Sequence, residues 1–330
     1  MASYCYFGNQ RYIDAVKGRL EEAGYDRVES IENAEWVITF YTSLTELENA
    51  YFGDDGFVDA SNSGKIFIDM SASTPNLSTE ICSVATITEI TMVAAPLCVK
   101  NKLAEDAFAR VNCYCYAGSE DDGVEQAMPM LDVLYGDVRP VADAGAAQLV
   151  RTARTIQNTS EMVSAIEALS LFDACNRSVG SNVDVMSLIP HATSPEAYFI
   201  LEAVKEKRFN GEYTVEMLMS EISAAMMTAD DFEMVLPQTE AAFHLYELLA
   251  IIGGADMSPA ALVLVYEGDT SSSLDGEDNA NPYGLDWGRV EKLYGLSEHE
   301  HAHDHLDPLS FDADSYPDDD FSEEFGFSVN

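Results

Sequence analysis

The sequence predicts an α/β domain, then an all-α domain, then an acidic tail, and three observations carry that order. In the first half of the 330 residues, short apolar runs alternate with amphipathic stretches, the pattern of a mostly parallel sheet with crossover helices. From Ala146 the period becomes helical and runs almost unbroken to Asp173. After about Gly268 the chain is rich in Asp, Ser, Gly and His, a composition that buries too little apolar surface to offset its ordering entropy. The expected divisions are 1–145, 146–268 and 269–330, the last mostly disordered.

Tyr4-Cys5-Tyr6-Phe7-Gly8 reads as a strand and the stretch ending at Ala23-Gly24 as a helix. A strand, tight turn and helix of this kind open a Rossmann-like dinucleotide-binding unit, where glycines let backbone N–H groups approach a pyrophosphate. Gly8 is the one glycine of the usual three; Gln10 and Ile13 hold the other places. A β-branched Ile13 facing the phosphates would obstruct them. Further strands are expected at 36–40, 65–69, 90–93 and 112–116, and further helices at 195–206, 214–228 and 236–252, with Gly253-Gly254 as a stop signal. A short helix is expected around 287–293.

The chain has 58 acidic against 17 basic residues, a formal charge of −41, with 47% hydrophobic residues. Such a surface repels phosphate backbones and anionic membranes, so neither nucleic acid nor membrane is an expected partner. The charge fits a salt-adapted proteome, or alternatively a specific cationic partner. The first residues show no basic segment followed by an apolar run, and no stretch approaches a membrane span. A cytoplasmic protein is expected. Six scattered cysteines without metal spacing are expected to be reduced and mostly buried, Cys113 and Cys115 sharing one strand face.

Several motifs in order carry a family resemblance over roughly residues 4 to 266. They are Ala34-Glu35-Trp36-Val37-Ile38-Thr39, Phe52-Gly53-Asp54-Asp55-Gly56, Ile68-Asp69-Met70-Ser71-Ala72-Ser73-Thr74-Pro75, Ala95-Pro96 and Gly145-Ala146-Ala147-Gln148-Leu149-Val150-Arg151. In that order they resemble the β-hydroxyacid dehydrogenase family, which includes 3-hydroxyisobutyrate dehydrogenases. The resemblance implies NAD or NADP as cofactor, with Gly8, Gln10, Ser71 and Thr74 as cofactor-binding positions, and a homodimer joined through the helical domain.

The same resemblance shows where the pattern breaks. The family's catalytic lysine falls on Arg151, which stays protonated and cannot readily exchange a proton with a substrate oxygen, although it can clamp a carboxylate. The following asparagine pair corresponds to Arg154 and Thr155. Cys98 takes the place of the serine of the substrate loop, Val99 and Lys100 replace its two glycines, and the helical domain's Lys-Asp pair corresponds to Ser220-Glu221. The segment between Gly24 and Ala34 is shorter than the family's by about one strand and one helix, which normally supply the residue that reads the adenosine ribose. Arg151 and Arg154, one turn apart, either form an anion-binding pair or are paired with local acids.

Two functional readings follow. One is a diverged member that has lost hydroxyacid dehydrogenase catalysis and keeps the fold for ligand or partner binding. The other is an active NAD(P)-dependent oxidoreductase acting on a small carbonyl or imine with a non-lysine proton donor, for which Tyr41, Cys98 and His191 are candidates. In the tail, His299, His301, His303 and His305 alternate with other residues and suit a divalent transition metal. The acid-spaced Phe311, Tyr316, Phe321, Phe325 and Phe327 suit a protein partner. His244 is expected to be a hydrogen-bonded core or interface residue, and Met217, Met219, Met226 and Met227 to fill a core or subunit contact.

Overall fold

Alternation along the first strand sets the layering of the molecule. In β1 (Ala2–Gly8), Tyr4 and Tyr6 enter one hydrophobic core and Cys5 the other, because successive side chains of a strand point to opposite faces. The first core is closed by α1 (Gln10–Glu22), through Tyr12, Ile13, Val16 and Leu20, and by α4 (Gly123–Leu134), through Met130, Leu131 and Leu134. The second is closed by α2 (Leu44–Phe52), through Leu47 and Tyr51, and by α3 (Pro75–Ile87), through Ile81, Cys82 and Ala85. A sheet covered on both faces by helices is the Rossmann-like arrangement expected.

The computed structural model describes residues 2–120, 122–178, 194–267 and 283–289, which lie in one compact unit, Met1–Val290. With β2 (Tyr25–Arg27), β3 (Trp36–Phe40), β4 (Ile66–Asp69), β5 (Thr91–Ala94), β6 (Cys98–Val99), β7 (Cys113–Ser119) and β8 (Asp137–Pro140), the sheet runs β2-β1-β3-β4-β5-β7-β6, and β8 pairs with β7. The strands from β2 to β5 are parallel, and β7 turns antiparallel to β5. The crossover that is short in sequence survives as the three-residue β2 at the sheet edge, with Asp26 and Arg27 exposed. β6 and β8 were not expected. One is two residues long, and the other reads Asp-Val-Arg-Pro without alternation.

The second half is helical. α5 (Ala144–Ser178) has 35 residues, about 52 Å at the usual rise. Asp143 starts it, its Oδ1 accepting from the Ala146 N–H at 2.7 Å. Its length lets it lie against α3 and β7 and also against α6 (Pro195–Lys205), α7 (Val215–Asp231) and α8 (Pro237–Leu249). After α8 comes a wider turn, Ala250–Gly254, broken inside by Gly253, whose φ of 113° belongs to glycine. A short helix, α9 (Val263–Glu267), follows.

Two expectations are corrected by packing. Ile13 is fully buried; it fills core volume and does not face a phosphate. His244 is hydrogen-bonded, with Nδ1 at 3.1 Å from Glu247, but it is not a core residue, its side chain being 63% exposed on the outer face of α8. Met217 is buried and Met227 exposed. All six cysteines are free, and Cys175 alone of them is exposed. Most of the helix expected at 287–293, His191 and all of the 269–330 tail except 283–289 lie outside the described residues; within 283–289, Tyr283 meets Phe209 and Leu285 is buried.

Candidate functional site

The turn after β1 keeps a glycine for a steric reason. Gly8 has φ 110°, and a Cβ there would lie 2.1 Å from the Phe40 carbonyl oxygen. That oxygen accepts from the Asn9 N–H at 2.7 Å, drawing the turn onto the end of β3. Asn9 caps α1, its Oδ1 accepting from the Tyr12 N–H at 3.2 Å. The cap therefore takes one of the first-turn N–H groups that an anion at a helix N-terminus uses. Gln10 is exposed at the first position of α1. Arg11, next to it, reaches across to the helical half, donating to the Gly211 carbonyl at 3.1 Å and to Asp256 at 3.2 Å.

The loop between β4 and α3 is tied from both sides. Asp69, 1% exposed, accepts from the Ser71 hydroxyl at 2.6 Å, the Ser71 N–H at 3.1 Å and the Thr39 hydroxyl at 2.9 Å. Burial raises its carboxyl above the ordinary value, and these hydrogen bonds oppose the rise. From α5, Gln148 donates to the Ser71 carbonyl at 3.0 Å and accepts from the Ser73 N–H at 3.2 Å. Thr74 caps α3 by accepting from the Leu77 N–H. Ser71 and Thr74 are thus buried, loop-fixing groups.

One turn beyond Gln148 lies Arg151, 2% exposed, with Nη2 at 3.5 Å from Glu221 Oε2. Glu221 is held more closely by others. Lys102 Nζ donates to Oε2 at 2.6 Å, the Thr155 hydroxyl to Oε2 at 2.9 Å, and the Tyr213 hydroxyl to Oε1 at 2.5 Å. Lys102 Nζ also stands 4.8 Å from the Tyr213 ring centre. Burial by itself would raise the Glu221 carboxyl, but the Lys102 ammonium, then the Arg151 guanidinium, outweigh it and hold it below its ordinary value. The cation missing from α7 beside Glu221 is therefore supplied by Lys102, on the loop after β6. The sequence reading missed this residue, because nothing along the chain links a loop lysine to a helix 119 positions away.

Cys98 and Arg151 share this region, the guanidinium opposing burial, which pushes the Cys98 thiol up to about 12. At neutral pH Cys98 is a thiol, neither base nor nucleophile. Arg154, 41% exposed, faces Glu196 at 3.7 Å. The two arginines face separate acids, Arg154 toward Glu196 and Arg151 loosely toward a Glu221 already held by Lys102, and do not converge on one anion.

Between the halves, Phe40, Tyr41, Met70, Ala72, Leu97, Arg151, Met217, Ser220 and Glu221 enclose a cavity of about 10 Å³, room for one water-sized sphere. Ser220 also lines a groove of about 450 Å³ bounded by Thr42, Ser43, Met219, Met227 and Phe243. Among the described residues no cluster of His, Cys, Asp or Glu has the form of a metal site; the four tail histidines fall outside them. No single helix among the described residues is long and apolar enough to cross a membrane.

A family model for the NAD binding domain of 6-phosphogluconate dehydrogenase matches residues 9–139. The chain is 26% identical over 244 residues to 2-(hydroxymethyl)glutarate dehydrogenase of Eubacterium barkeri, covering 72% of this chain and 78% of that protein. It is 21% identical over 224 residues to probable 3-hydroxyisobutyrate dehydrogenase-like 1, mitochondrial, of Arabidopsis thaliana, covering 68% of this chain and 65% of that one. Among solved structures, 3-hydroxyisobutyrate dehydrogenase of Salmonella typhimurium superposes with a TM-score of 0.64 at 16% identity, over 80% of this chain and 100% of that one. The enzyme of the same name from Mycobacterium tuberculosis gives the same score and identity over 80% and 99%. The two solved structures bear on the fold, and the family model and curated relatives bear on descent. Together these similarities agree with the resemblance to the β-hydroxyacid dehydrogenase family that the sequence motifs carry.

Proposed function

We propose that the protein does not carry out lysine-dependent hydroxyacid dehydrogenation and keeps its fold for binding. The observation that carries this reading is Arg151, which stands at the family's lysine position, is 2% exposed and leans on Glu221. A guanidinium there is permanently charged, so it offers no proton exchange to a substrate oxygen near neutral pH. The cavity of about 10 Å³ and the capped α1 N-terminus support the same reading. Calorimetric titration with NADH and NADPH, with turnover assays on 3-hydroxyisobutyrate and 2-(hydroxymethyl)glutarate, tests it. No binding up to millimolar dinucleotide and no turnover is the expected result; turnover of either acid overturns it.

A second reading rests on Lys102. A buried ammonium 2.6 Å from a carboxylate is a group from which a proton donor is made once the cleft opens. In that case the protein is an NAD(P)-dependent oxidoreductase of a small carbonyl or imine. It predicts micromolar dinucleotide binding, and reduction that Lys102→Met abolishes without weakening that binding.

A further inference from the structure

The charges gathered under the cleft do not cancel. Lys102 and Arg151 are 7% and 2% exposed and bring two positive charges, while Glu221 brings one negative. The oxygens of Glu221 are committed to Lys102, Thr155 and Tyr213. Lys102, at 2.6 Å, is its counter-ion. Arg151 reaches the same carboxylate only at 3.5 Å, and its Nη1 and Nη2 make no hydrogen bond among the described residues. A buried charge with unmade N–H bonds is strongly unfavourable. A lysine in such a place sheds its proton; an arginine does not.

We propose that Arg151 binds a chloride ion in the cavity beside it. Size decides among anions. In the cavity a water-sized sphere has about 10 Å³ in which to move its centre, which leaves room for one monatomic ion slightly larger than water but not for a carboxylate or phosphate head. Valence agrees, since the excess is one positive charge and no second free cation lines the walls. Phe40, Met70, Leu97 and Met217 make those walls largely apolar, which suits a weakly hydrated halide, and Glu221, also on the wall, has both oxygens taken by Lys102, Thr155 and Tyr213. Ser220 offers the path, for it borders both this cavity and the 450 Å³ groove. The acidic surface opposes an arriving anion only at range, and at 0.1 M salt that field is screened within about 10 Å. This site concerns neither dinucleotide nor substrate, so it goes beyond the function proposed above.

The test uses the full chain in potassium chloride, potassium bromide and potassium gluconate at equal ionic strength. The thermal midpoint is expected to be about 4 °C higher in saturating chloride or bromide than in gluconate, and the difference should vanish in Arg151→Met. Lys102→Met should also lose it, since Arg151 then becomes the counter-ion of Glu221. Crystals soaked in bromide are expected to show an anomalous peak within contact distance of Arg151 Nη1 or Nη2. That measurement needs no variant and stands even where Arg151→Met fails to fold. Absence of the peak overturns the proposal, as does a halide effect that persists unchanged in a folded Arg151→Met.

Discussion

Lys102 Nζ and Glu221 Oε2 lie 2.6 Å apart, joining the loop after β6 to helix α7 across 119 positions of sequence. Both side chains are almost fully withdrawn from water, at 7% and 10% exposure. Such a pair fixes how the sheet half meets the helical half, because each charge tolerates burial only beside the other. Arg11, at the first turn of α1, makes a second tie through Gly211 and Asp256, but on exposed groups that contribute little.

Removing Lys102 therefore tests the hinge of the architecture. Lys102→Met leaves the Glu221 carboxylate buried with Arg151 at 3.5 Å, and a loss of about 3 kcal/mol is expected. Denaturant unfolding should show a lower midpoint at an unchanged slope. Arg11→Ala should move the midpoint by less than about 1 kcal/mol in the same assay.

The pH dependence of stability separates Glu221 from its surroundings. Its folded carboxyl is held below the ordinary value of about 4.5 by Lys102 and Arg151 against the effect of burial. The stabilisation it gives is complete above that pH and is lost as pH falls through the folded value. Asp69 runs the opposite way. Burial raises its carboxyl above 3.8, so its contribution weakens stability as pH rises through that window. Comparing wild type with Glu221→Gln cancels Asp69. The variant should be less stable at pH 7, with the gap narrowing below about pH 4.5; a constant gap would sink the assignment.

Gly8 tests the turn after β1. With φ at 110° and the Phe40 carbonyl 2.1 Å from any added Cβ, Gly8→Ala must shift β3 or the turn. A cost of about 3 kcal/mol or more is expected, read as a lowered thermal midpoint. Gly18→Ala is the control, for a Cβ there meets nothing within 4 Å. It should be neutral or stabilising by up to about 1 kcal/mol, as an alanine in a helix generally is.

What the sequence made legible follows from distance along the chain. β1, β3, β4 and β5 announce themselves because a short apolar run is a local signal, and Tyr4, Cys5 and Tyr6 divide between two cores. Gln148 and Arg151 are legible for the same reason, being one helical turn apart in a recognisable motif. β8 was not, since Asp-Val-Arg-Pro pairs with β7 through backbone register alone. Lys102 was hidden because its partner is fixed by the folding of two domains onto each other. Ile13 was misread because an altered glycine position was judged by the ligand it might face, when the first core decides its direction.

Gln148→Leu should cost about 2 to 4 kcal/mol, since it strands the Ser71 carbonyl and the Ser73 N–H in a buried loop. Hydrogen exchange gives the sharper reading. Protection of the Ser73 amide should fall well before that of the β4 amides, which remain paired with β3.

Restoring the family's residue type by Arg151→Lys should not restore dehydrogenation. A lysine at 151 would meet Glu221 already neutralised by Lys102 at 2.6 Å, a Thr155 hydroxyl already donated to the same carboxylate, a buried Cys98 in place of the loop serine and a buried Val99 in place of a loop glycine. Beside a second ammonium its own pKa should fall, since like charges and burial both disfavour a further proton. The expected outcome is a folded variant without turnover of 3-hydroxyisobutyrate, followed as reduced nicotinamide, and without tighter dinucleotide binding. Turnover in this single variant would show that the remaining substitutions are tolerated and that Arg151 alone silences the site.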